Sequence, residues 1–309
     1  MPVHQRPFLA LGLRLGAALA MSSLYMLVKL VHQMGVSLPE IIFWRQAGAL
    51  PLLLGWILLR GQMWQLKTTR FKSHATRSLM GMVGMLANFG ATILLPLAVA
   101  TILGFTTPMF AVVLSALFLR EKPGRWRGLA VALGFAGVLV IARPGAMPIS
   151  PIGALVGLAS GFMVAVVSIQ LRDMGRTETP LSVVFYFSLV GTVLMLPTLP
   201  FTMTHHTPLQ WAMILAMGSI GTLAQLLLTA ALRYGPVSTV VVMDYSSLIW
   251  TTLYGWLVFH QMPPASTWLG APLVVAAGLV IVWRERVRAR AAATPPEESA
   301  PAGRVPRGR

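Results

Sequence analysis

Apolar runs of about 18 to 25 residues recur ten times along this chain, the length that crosses ~30 Å of hydrocarbon as a helix. No other feature constrains the fold as tightly. In lipid every backbone polar group must be satisfied by the protein, and a helix does this within its own segment. The expected spans are 11–31, 39–59, 78–98, 101–119, 127–143, 152–171, 180–200, 209–232, 237–259 and 266–283. Only 10% of the 309 residues are charged and mean hydropathy is +0.74, far from a soluble domain. Ala18-Leu19-Ala20 resembles a signal-peptide cleavage site, but Arg14 interrupts the apolar region and hydrophobicity continues to Val31. The first span is therefore read as uncleaved.

A formal charge of +16 would suit a nucleic-acid binder. Here, however, the bases sit in short loops between spans rather than along one stripe. Placed on ten spans, all but three of the 24 Lys and Arg residues fall on the side of the two termini; the exceptions are Lys29, Arg45 and Arg143. The positive-inside rule then puts both termini in the cytoplasm and the chain in the inner (cytoplasmic) membrane. The absence of cysteine excludes disulfides, thiolate catalysis and Cys-based metal sites.

Thr106 to Pro123 (TTPMFAVVLSALFLREKP) echoes Ser246 to Pro263 (SSLIWTTLYGWLVFHQMP) at a constant offset of 140. A repeat of five spans is odd-numbered, so its second copy enters the membrane inverted, as in secondary transporters with a midplane site between the copies. The expected architecture is all-α: ten transmembrane helices as two inverted five-helix repeats, 1–145 and 146–287. A disordered basic tail, 288–309, follows. Gly12 and Gly16 in the first span, and Gly153, Gly157 and Gly161 in the sixth, have the small-xxx-small spacing of closely packed helices.

Among the candidate functional residues Asp244 stands first, as the acid well inside an apolar run. It lies about seven residues into the ninth span, ~10 Å deep at the helical rise. A carboxylate at that depth needs a partner or a wet cavity. Arg45, equally deep from the opposite side, is its expected counterpart: the two form a structural ion pair, or each pairs separately, or both line a substrate cavity. Asn88 with Thr92, and Gln225 with Thr229, share faces on the third span of each repeat and suggest a shared cavity. Tyr25, Trp44, Tyr186, Tyr245, Trp250 and Tyr254 would supply flat walls. Glu40 is an outer charge and Lys29 is expected to snorkel. His32, His205, His206 and His260 are expected to be solvated loop residues without metal-ligand spacing. No phosphate-binding Gly-rich loop, HExxH or GxSxG is present.

Four stretches, LPEIIFWRQ (Leu38 to Gln46), LREKPGRWRGLAVALGFAGVLVIARPG (Leu119 to Gly145), TETPLSVVFYF (Thr177 to Phe187) and Ala224 to Phe259, carry a family resemblance. The chain resembles the EamA-type transporters of the drug/metabolite transporter superfamily across nearly all ten spans, in the branch with riboflavin and S-adenosylmethionine carriers. The resemblance implies two inverted five-helix repeats, a central cavity and alternating access without ATP or cofactor. It places the family's acidic-plus-basic pattern on Glu40, Arg45 and Asp244. Two departures stand out: the small-Glu-Pro end of the ninth span reads His260-Gln261-Met262-Pro263, and Ser22-Ser23-Leu24-Tyr25 replaces a frequent Trp.

The expected function is therefore secondary transport of a small polar or zwitterionic metabolite, in the export direction. Its expected partners are that substrate and membrane lipids, with no nucleic acid and no metal; a homodimer is compatible with it. The alternatives are import of a riboflavin- or S-adenosylmethionine-type metabolite, and export of an amino-acid-derived compound such as a metallophore. Beyond transport stand a membrane-embedded lipid-modifying enzyme and a sensor that has lost transport.

Overall fold

The protein is described by a computed structural model covering residues 7–118, 124–142, 149–175, 177–234 and 241–293. The described residues are helical, with turns and no strand. The helices are α1 (Pro7–Gln33), α2 (Leu38–Leu59), α3 (Phe71–Leu94), α4 (Leu97–Gly104), α5 (Thr107–Phe118) and α6 (Arg125–Ala142). After them come α7 (Pro151–Met174), α8 (Pro180–Met195), α9 (Leu199–Thr202), α10 (Pro208–Tyr234), α11 (Ser247–Phe259) and α12 (Ala265–Ala293). Short 3-10 turns cover Met63–Leu66 and Val241–Ser246.

Eight segments among the described residues are long and apolar enough to cross a membrane, with α4 and α5 together forming one of them. The two other expected spans are different in kind. α3 has 24 residues, but its first two turns hold Lys72, His74 and Arg77. The expected span 237–259 is a 13-residue helix, α11, entered through a 3-10 turn. Residues 119–123, with Glu121, and most of the tail lie outside the described residues.

Helix starts follow local chemistry. Ser37 caps α2, Ser150 caps α7 and Thr179 caps α8, each with its side-chain oxygen accepting a backbone N–H three residues on and a proline in the first turn. The outer surface is apolar: Leu59, Leu139, Ile249, Leu269 and Phe201 are all exposed, as lipid-facing side chains would be.

Because lipid tails are as apolar as leucine, helix association rests on close packing and polar contacts. α1 packs along α10, α3 along α7 and α6 along α12, while α2 meets both α8 and α10. α8 also meets α3, α1 meets the 3-10 turn and α11, and α4 with α5 meets α7. Gly157 and Gly161 allow the last of these approaches, since a Cβ at either would collide with Leu103 or Thr106. The expected close packing of the first span is not found there: a Cβ at Gly12 would meet open space and one at Gly16 only ordinary contact.

Two large buried clusters result, beside a small one of Ala10 and Ala231. One centres on Val99, Ile102, Met109, Val138, Ile141 and Val274, the other on Leu24, Val28, Ile42, Met82, Phe89 and Met217.

Candidate functional site

A cavity of about 470 Å³ opens between α1, α3, α4, α5, α7, α10 and the turn before α11. Two of its walls carry irregular backbone, the turn between α4 and α5 and the 3-10 turn that leads into α11. Between α4 and α5 the backbone turns at Phe105-Thr106, where the Thr106 hydroxyl donates to the Leu103 carbonyl at 2.6 Å. Thr107 donates to Gly104 O at 2.8 Å and lies 3.2 Å from Gly161 O on α7. Across the cavity the 3-10 turn ends with Ser246 and Ser247 donating to the carbonyls of Met243 and Asp244, each at 2.6 Å. Hydroxyls thus satisfy carbonyls freed where the helix is broken, and irregular backbone lines the space, as it must at membrane depth. Thr106 and Ser246 are the residues that open the two echoing sequences.

Asp244 therefore sits on a 3-10 turn rather than inside a continuous helix. Its partner is Arg14 and not Arg45, a correction to the sequence reading. Arg14 Nε donates to Oδ1 and Nη2 to Oδ2, both at 2.5 Å, a two-pronged contact between residues 230 positions apart. The Asp244 side chain is 36% exposed on the cavity wall, whereas that of Arg14 is 7% exposed behind it. Arg14 Nη1 is buried without a partner among the described residues. Tyr245 lines the same wall with its ring 4.7 Å from that of Phe105, and Tyr25, Asn88 and Thr92 also line the cavity.

Arg45 lies elsewhere. It is 6% exposed and donates to Gln46 Oε1; with Arg77, Ser188, Thr222 and Gln225 it lines a separate cavity of about 20 Å³. Hence Asn88 and Gln225, expected to share one cavity, line two; the Thr229 side chain lies outside the description. Trp250 is half-buried on α11 and is not among the residues lining either cavity.

Glu40 and Tyr186 belong to clasps at helix ends. Glu40, in the first turn of α2, contacts His206 just before α10, with both side chains fully buried. Trp44 Nε1 donates to Glu40 at 3.3 Å, and the rings of Trp44 and His206 both lie edge-on to Trp211. His206 is thus no solvated loop residue, because its ring replaces water around a buried carboxylate. The second clasp joins His74, in the first turn of α3, to Glu178, just before α8, at 3.1 Å. Burial pushes the Glu178 carboxyl up. Hydrogen bonds from His74, Thr68 and Ser182, with the charge on His74, outweigh it and hold the group below its ordinary value. Tyr186 stacks on His74 at 4.5 Å and donates to Leu66 O at 2.8 Å, away from the cavity.

Lys29 does not snorkel. Its ammonium donates to the Leu95 carbonyl at 2.6 Å and to Gln261 Oε1 at 3.1 Å. The reason is the break at Pro96: with α4 starting only at Leu97, that carbonyl needs a donor from outside its own helix. Among the described residues no three His, Asp or Glu side chains converge to hold a metal.

Arg14 is the cavity residue that sequence reasoning missed. The signal was present: it is a base inside the first apolar run, where a charge needs a partner or a reach to water. It was read only as an interruption of a signal peptide.

Comparison with known proteins gives one family model, described as the EamA-like transporter family, matching residues 8–143 and again 151–283. The chain is 31% identical to the pseudopaline exporter of Pseudomonas aeruginosa, covering 86% of this chain and 94% of that protein. It is 28% identical to the riboflavin transporter of Vibrio cholerae over 84% of this chain and 87% of the other. It is 26% identical to the S-adenosylmethionine uptake transporter of Rickettsia bellii, over 80% and 84%. A solved crystal structure shares the fold at a TM-score of 0.59 and 20% identity, over 92% of this chain and 99% of that one.

Proposed function

This chain belongs to the EamA-like transporter family, and on that premise we propose that it exports a small polar or zwitterionic metabolite across the cytoplasmic membrane by alternating access. The observation that carries this reading is the Arg14–Asp244 pair, set on the wall of a 470 Å³ cavity lined by the α4–α5 turn and the 3-10 turn before α11. A buried ion pair is costly to desolvate and more costly to split, unless another pair of charges takes over. A zwitterion does that: its ammonium meets Asp244, its carboxylate meets Arg14, and neither protein charge is left alone. Tyr25, Asn88, Thr92 and Tyr245 then supply the polar and aromatic contacts that orient the guest.

The transporter spans the membrane ten times as two inverted repeats, 1–145 and 146–287, with both termini cytoplasmic. The packing supports this. If α7 corresponds to α1, α8 to α2 and α10 to α3, the contact of α1 with α10 matches that of α7 with α3. On the same terms α2 on α10 matches α8 on α3, and the Glu40–His206 clasp matches the Glu178–His74 clasp at the other end. The cluster of Lys and Arg on one side supports the orientation. Export is the direction named for the pseudopaline relative.

The test has two stages. Metabolites are compared between medium and cytoplasm with and without overexpression, and flux of the best candidate is then measured in proteoliposomes. Wild-type flux that Asp244→Asn leaves unchanged, at equal protein content, would overturn the proposed site.

A further inference from the structure

We infer that the small cavity holding Arg45 and Arg77 is a binding site for one small monovalent anion of about the size of chloride, distinct from the transport cavity. The reasoning begins with charge balance. Each carboxylate among the described residues already faces a base: Glu40 faces His206, Asp173 faces Arg70, Glu178 faces His74, Asp244 faces Arg14 and Glu285 faces Arg127. None is left for Arg45 or Arg77.

These two guanidiniums nonetheless share one place. The Arg77 Cζ lies 4.0 Å from the centre of the Phe187 ring and the Arg45 Cζ 6.0 Å from the same centre. They are therefore within about 10 Å of each other, close enough to repel through protein. Both line the cavity of about 20 Å³. Arg77 Nε and Nη1 are buried there without a hydrogen-bond partner in the described structure, and Arg45 donates to the neutral Gln46 amide.

A lysine in this position could shed its proton, but a guanidinium cannot. The ring of Phe187 offers each cation some compensation, worth less than a counter-charge. Among the described residues no carboxylate remains to neutralise them, so the balancing charge is assigned to a bound anion. The cavity admits a single water-sized particle and no metabolite. A water molecule would satisfy donors yet leave both charges standing, whereas a small anion does both. The hydroxyls of Ser188 and Thr222 lie in the same wall. The cavity joins α2, α3, α8 and α10, so a bound anion fastens these four helices together. A carboxylate has the same chemistry as a halide here, so the probes must separate the two.

Thermal unfolding of the purified full chain in nanodiscs tests this at constant ionic strength, replacing gluconate, which is too large for the cavity, by chloride or by formate. The expected result is a rise in melting temperature that saturates with chloride concentration. In Arg45→Gln and Arg77→Gln that rise shrinks or vanishes. A response to formate and not to chloride assigns the site to a carboxylate. No response to either probe, or an undiminished response in both variants, overturns the proposal. Should the variants not fold, wild-type crystals grown in bromide decide: an anomalous peak beside Phe187 supports the site and its absence there removes it.

Discussion

Arg14 and Arg45 are both guanidiniums carried into an apolar interior, and the protein treats them differently. Arg14 meets a carboxylate that is itself one-third exposed to a 470 Å³ cavity. Arg45 faces a second arginine, a phenylalanine ring and a neutral amide around a cavity of 20 Å³. The lesson is that depth in the membrane does not by itself mark the transport site. A charge becomes part of the working site when its partner is reachable by a guest. Where the pocket admits only one small particle, the charge can fix helices but cannot select a metabolite.

The largest expected effect comes from making Arg14 resemble Arg45. Asp244→Asn leaves Arg14 without a counter-charge, and flux in proteoliposomes should fall to background while expression persists. Arg14→Gln should also abolish flux. Because splitting a partly exposed pair costs about 1–3 kcal/mol, the double variant should be more stable to heat than either single one.

A smaller effect separates the two arginines directly. Arg45→Gln should lower the melting temperature more than it lowers flux at saturating substrate, the reverse of Arg14→Gln. Parallel flux and thermal-unfolding measurements on the two variants test the contrast, and equal losses of flux would erase it.

The third prediction concerns a carboxylate paired away from the cavity. The hydrogen-bonded Glu178 carboxyl is held below its ordinary value, so its stabilisation is complete above the unfolded value and is lost as pH falls through the folded one. Glu178→Gln should flatten the acid side of the stability profile by about 1 kcal/mol and leave flux at neutral pH near wild type. Melting temperature against pH below about 5 is the readout.

The smallest effect is expected at Gln261, where the family pattern has an acid. Gln261→Glu turns the 3.1 Å hydrogen bond from Lys29 into an ion pair. It should raise stability by less than about 1 kcal/mol in thermal unfolding.

Much of the fold was legible because its signal is local. Each hydrophobic run is written within a few residues, and the echo of Thr106 to Pro123 in Ser246 to Pro263 shows on direct alignment, whereas the caps at Ser37, Ser150 and Thr179 came from the structure. The breaks at Thr106 and at the turn before α11 were less so. Their hydroxyls are visible in sequence, but a serine or threonine beside an apolar run fits an unbroken helix equally well. Of the candidate residues, Asp244, Tyr245 and Asn88 line the 470 Å³ cavity, Arg45 and Gln225 line the smaller one, and Glu40, Tyr186 and Trp250 line neither.

The sequence alone determined that this chain is a helical, multi-span membrane protein with a costly acid near its ninth apolar run, since burial in lipid sets those requirements residue by residue. Only the tertiary structure decided which base meets that acid. Arg14 and Arg45 are both bases within apolar runs, and which of them meets Asp244 depends on α1 packing against the turn before α11 while α2 packs against α8 and α10. Those choices are made by contacts hundreds of residues apart, which no local pattern records.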